Sequence, residues 1–79
     1  MRADICEPSD TQRLALLRQA LDSLGAESIN DSDAAIGVRM TEMRVLNEPL
    51  WVFYDAWSVD IESSPAIVNA VLSKMNETR

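Results

Sequence analysis

Apolar residues recur at helical spacing near both ends of the chain, and the middle carries runs of strand-like composition. Leu14, Leu17, Leu21 and Leu24 lie three, four and three positions apart, and Ala15, Leu16 and Ala20 widen the stripe. Ser9 stands three residues ahead of Gln12, the spacing of a capping box, and Gly25 sits where a C-terminal cap belongs. A helix over 9–25 is predicted. Toward the other end, Ile67, Val68, Val71, Leu72 and Met75 form a second apolar face. Ser64 is a good N-cap, and Pro65 suits the first helical position, where its missing N–H does no harm. Lys74 and Arg79 place positive charge near the end of this second helix, 64–76, where the dipole favours it.

Between the helices, Trp51, Val52, Phe53, Tyr54, Trp57, Val59 and Ile61 give 50–62 the composition of a strand. Pro49 is tolerated in the preceding turn or at the first strand position. Residues 35–46 supply the nearest partner strand, although Thr41–Leu46 would also make a helical turn or two. With a turn centred on Glu48, Val45 opposes Trp51, Met43 opposes Phe53, Thr41 opposes Asp55, Arg39 opposes Trp57 and Ile36 opposes Asp60. Neither face is then cleanly polar, and a β-bulge near Thr41–Glu42 would repair the phase. Residues 25–34 are rich in turn formers and acids, and residues 1–8 read as an N-terminal arm ended by Pro8. The expected fold is a single α+β domain over 1–79, ordered helix-strand-strand-helix, with an antiparallel β-hairpin packed against two helices.

Size and charge narrow the picture. A chain of 79 residues makes one domain at most. Size scaling gives it a folded surface of about 4,800 Å², with roughly 60% of the unfolded surface removed from water. So small a core gains from further burial in a complex, and a two-stranded sheet leaves two open edges, which together predict a homodimer or a heteromeric assembly. Thirteen acids against seven bases give a net charge of −6, which repels phosphate backbones and anionic membranes. Direct binding to nucleic acid or membrane is not expected, whereas a basic protein surface would be steered toward this chain. The longest apolar run, Leu50–Tyr54, is far short of a membrane span, and Met1-Arg2-Ala3-Asp4 leads into no signal-peptide core. Cys6 is the only cysteine, which points to a reducing, cytoplasmic setting.

Catalytic signatures are absent from the sequence. Without histidine, Ser-His and Cys-His nucleophile pairs and histidine metal sites drop out. Two glycines far apart build no phosphate-cradling loop. Asp31, Asp33 and Glu42 fall at positions one, three and twelve of a calcium loop, but Ala35 and Ile36 occupy positions five and six, where a ligand and a glycine belong. Asn30, Asp31 and Asp33 are expected to make local turn hydrogen bonds instead. No metal, cofactor or catalytic residue is expected.

The partner-binding candidates are Tyr54, Trp51, Trp57, Asp55 and Arg39. All four aromatics fall between positions 51 and 57, and strand alternation sets Tyr54 opposite the tryptophans, so one core cannot take them all. Tyr54 is the leading anchor, because Tyr and Trp dominate interface energetics. Asp55 shares the phase of Trp51, Phe53 and Trp57, where it would pair with Thr41, reach Arg39, sit at the open edge or mark a strand break at Asp55-Ala56. The expected function is that of a small acidic adaptor, regulatory subunit or inhibitor acting by protein–protein contact, in its sharper form occluding a basic nucleic-acid-binding site as a phage-type antagonist would. The alternatives are a self-associating assembly subunit and a small oligomeric enzyme.

Overall fold

The computed structural model describes residues 1–35 and 37–77, and among these the chain runs β1 (Arg2–Cys6), α1 (Thr11–Ser23), β2 (Glu27–Ala35), β3 (Val38–Val45), β4 (Glu48–Tyr54), β5 (Val59–Glu62) and α2 (Pro65–Glu77). Helix and antiparallel sheet are mixed, but the expected helix-strand-strand-helix order is overturned. Five strands form one antiparallel sheet in the order β1-β5-β4-β3-β2. Three causes separate this fold from the expected hairpin. The supposed arm contains a strand, the supposed turn region is another, and the long run 50–62 is two strands. Ile36, Arg79 and the side chain of Asp33 lie outside the described parts of the structure.

Each helix is set by its ends. Asp10, and not Ser9, caps α1, its Oδ1 accepting from the Arg13 N–H at 3.0 Å. At the far end the Gly25 N–H donates to the Asp22 carbonyl and the Ala26 N–H to the Leu21 carbonyl, both at 3.0 Å. This is a Schellman closure, and Gly25 at φ +72° supplies the left-handed residue it requires. In α2 the Ser64 hydroxyl accepts from the Ile67 N–H at 3.4 Å, with Pro65 as the first helical residue.

The sheet follows a tight register. Val45 pairs with Glu48 and Arg39 with Tyr54, so the β3–β4 hairpin turns on Leu46 and Asn47. Both sit at positive φ, 51° and 67°, the pattern of a two-residue type I′ turn. The expected register, centred on Glu48, is off by an odd number of positions, and that swaps the faces of one strand against the other. In the true register Val45 and Met43 share a face with Leu50 and Val52, and no bulge is needed in this hairpin. The irregularities fall instead in β1, between Asp4 and Cys6, and in β2, between Ser28 and Asn30 and between Asp33 and Ala35.

Both helices lie on one face of the sheet and pack against each other. Leu17, Ala20 and Leu21 of α1 and Ile67, Val68, Val71 and Met75 of α2 close over Ile5, Val45, Leu50, Val59 and Ile61. Leu50 and Ile61 are wholly buried, so truncating either to alanine would cost about 2–5 kcal/mol. Ser63 stitches three segments together: its hydroxyl donates to the Pro49 carbonyl at 2.7 Å, its N–H donates to the Met1 carbonyl, and its carbonyl accepts from the Met1 nitrogen. The total surface is 4960 Å², close to the value expected from size alone. The apolar groups that remain exposed therefore reflect where they are placed, not an expanded chain. Among the described residues no helix is long and apolar enough to cross a membrane.

Candidate functional site

The helices cover one side of the sheet, and strand alternation sends every second residue to the other. On that open side β4 presents Trp51 and Phe53, β3 presents Val38, Met40, Glu42 and Arg44, β5 presents Asp60 and Glu62, and β1 presents Arg2 and Asp4. The cross-strand register aligns them in rows. One row runs Glu42, Trp51, Glu62, Arg2, and the next runs Met40, Phe53, Asp60, Asp4. Trp51, Phe53, Met40 and Val38 are half-buried by their neighbours alone, with no helix above them. The result is an aromatic centre bordered by four carboxylates and two guanidiniums.

One corner of this face is built in detail. The Arg2 guanidinium carbon lies 4.4 Å from the Phe53 ring centroid, in cation–π contact. The same guanidinium meets Asp60 Oδ2 through Nη2 at 3.0 Å and Nε at 3.1 Å. Asp60 Oδ1 is buried with no hydrogen-bond partner among the described residues, so this carboxylate keeps unused acceptor capacity. The Glu42 and Glu62 carboxylates make no ion pair among the described residues.

The residues expected from sequence are divided between the two sides. Trp51 lies on the open face. Tyr54 projects to the helix side, 41% exposed, directly opposite Arg39 on β3. Arg39 is exposed and lies 4.0 Å from Asp31 Oδ1, which also accepts from the Thr41 hydroxyl at 3.1 Å. Asp31 is thus a strand residue of β2, not part of a turn. Trp57 is 82% exposed in the link between β4 and β5. Asp55 builds that link: its Oδ1 accepts from the backbone N–H groups of Trp57 and Ser58, both at 2.7 Å, and its own N–H donates to the Ser58 carbonyl. Of the roles considered for Asp55, the strand break is the one observed. These backbone donors hold its carboxyl below the ordinary carboxylate range. Tyr54, Asp55, Trp57 and Arg39 therefore gather at one end of the sheet, and Trp51 stands apart from them.

Beside Tyr54 an open groove of about 520 Å³ runs between α1 and the sheet. Leu14, Leu17 and Leu21 form one wall, Met43, Val52 and Val59 the other, and Arg18, Asp22 and Thr41 lie along it. Neither Asp55 nor Arg39 lines it. The described residues contain no group of three or more His, Cys, Asp or Glu side chains arranged to hold a metal ion. The Cys6 thiol is pushed up from its ordinary value, first by burial and then by Asp10, with Arg13 opposing and Asp4 and Glu7 adding less.

Sequence reasoning missed Phe53, Met40, Glu42, Asp60, Glu62 and Arg2 as members of one surface. The alternation Trp51-Val52-Phe53 was visible, but the wrong register placed these rings over Val45 and Met43 in the core. A two-residue turn at Leu46-Asn47 would have corrected it. Comparison with protein-family models, with curated proteins and with solved structures finds no match to this chain, so its site is read from geometry alone.

Proposed function

We propose that this chain is a small acidic partner-binding protein whose docking surface is the open face of the sheet and whose partner presents a basic protein surface. One observation carries the reading: Trp51, Phe53, Met40 and Val38 form a continuous apolar centre that no described element covers, bordered by the carboxylates of Glu42, Glu62, Asp60 and Asp4 against the two guanidiniums of Arg2 and Arg44. Half-buried aromatics within a charged rim are the anatomy of an interface, with rings as anchors and charges steering the approach. A net charge of −6 favours a partner rich in Lys and Arg, the composition of nucleic-acid-binding surfaces, so occlusion of such a surface is the regulatory action this reading implies.

The test uses the purified partner and calorimetry. Met40→Asp and Val38→Asp, checked for folding by circular dichroism, should weaken binding roughly a hundredfold, and Asn69→Asp on exposed α2 should not. Affinity should also fall between low and physiological salt. Unchanged affinity in both open-face variants would overturn the reading, as would a target that proves to be a second copy of this chain.

Self-association as an assembly subunit is a second reading, and one feature favours it. β2 is an edge strand of nine residues with a bulge at Ile29, and Ile29 is half exposed. Sedimentation showing concentration-dependent growth without a partner would select it.

A further inference from the structure

We infer that Trp51, flanked by Glu42 and Glu62, is a receptor for an arginine side chain of the partner. This rests on the docking reading above and names the chemistry at its centre. Directly opposed residues of antiparallel strands project from the same face, so Glu42, Trp51 and Glu62 form a row of carboxylate, indole, carboxylate across β3, β4 and β5. Neighbouring strands lie about 4.8 Å apart, so the two carboxylates stand on either side of the ring and within reach of a group stacked on it.

The adjacent row shows this chemistry already at work. There the chain's own Arg2 stacks 4.4 Å over Phe53 and is held by Asp60 at 3.0 Å. Arg2 is the register partner of Glu62, yet its head group crosses to the Phe53 row. The Trp51 row is thereby left with two carboxylates that have no ion pair among the described residues and with the aromatic ring that attracts cations best. A guanidinium fits better than an ammonium, because it is planar, weakly hydrated and able to donate to a carboxylate on each side while stacked.

The probe is a short oligoarginine peptide at low ionic strength, followed by calorimetry and by the Trp51 indole N–H resonance. The peptide should shift that resonance and bind more tightly than oligolysine of the same length. The double variant Glu42→Gln/Glu62→Gln should lose about tenfold in affinity. A control, Glu7→Gln/Asp22→Asn, removes the same charge at exposed positions off this face and should stay within about twofold. Equal losses in both double variants would overturn the receptor and reduce the attraction to net charge, leaving the sheet-face reading to its own Met40 and Val38 test. An unmoved Trp51 resonance in the peptide complex, or no preference for arginine, would overturn it as well.

Discussion

Asp55 shows how one carboxylate can define the end of a strand. Two short hydrogen bonds from the Trp57 and Ser58 N–H groups tie it to the turn, and they require the ionised form for full strength. Its folded pKa is depressed by those bonds, so the stability it contributes is present above the ordinary carboxylate pKa and is lost as pH falls through the folded value. Asp55→Ala should therefore lower the melting temperature by a few degrees at neutral pH, and the gap to the parent chain should close in strong acid. Asp55→Asn, which keeps an acceptor oxygen, should fall between the two; thermal melts across the pH range check both outcomes. The sequence Asp-Ala-Trp-Ser contained this signal, an Asx turn, but Trp57 has the composition of a strand residue and hid the break.

At the level of elements, what could be read depended on whether an element buries a face. Both helices could be found because they lay apolar stripes on the core, with Gly25 and Ser64 marking an end and a start. β2 could not, because its described side chains, Glu27 to Asp31, are all exposed. It meets β3 through the backbone ladder and through Asp31, which Thr41 and Arg39 contact, and a strand held that way has no apolar period to detect. β1 did carry a signal, since Ala3 and Ile5 point inward while Arg2 and Asp4 point out, but five residues are too few to separate from an irregular arm. The β3–β4 turn was misplaced because Leu46-Asn47 lacks the glycine expected in a type I′ loop. Leu46 at φ 51° is strained for a bulky side chain and gains little burial there, being 58% exposed. Replacing the pair by Asn-Gly should stabilise the fold by about 1 kcal/mol in a urea titration, with an unchanged slope.

For the whole molecule, the candidate face is a product of topology. No single element contains it: its rows assemble only when β1, β5, β4 and β3 lie side by side, which is why composition could suggest an acidic binding protein without locating the surface. The order of strands also bears on how the chain folds. β2 through β5 are joined by consecutive antiparallel pairings, each between neighbours in sequence, whereas β1 must find β5, with Arg2 and Asp60 separated by 58 positions. Closing so large a loop costs more entropy than any of the hairpins, which places β1 among the last parts to dock. Pulse-labelled hydrogen exchange should see amide protection arrive in β1 after β3 and β4. Until it does, Phe53 lacks its guanidinium and Asp60 its counter-charge, so a nascent chain would display both aromatic rows bare, and the arrival of β1 converts one of them from a sticky surface into a finished one.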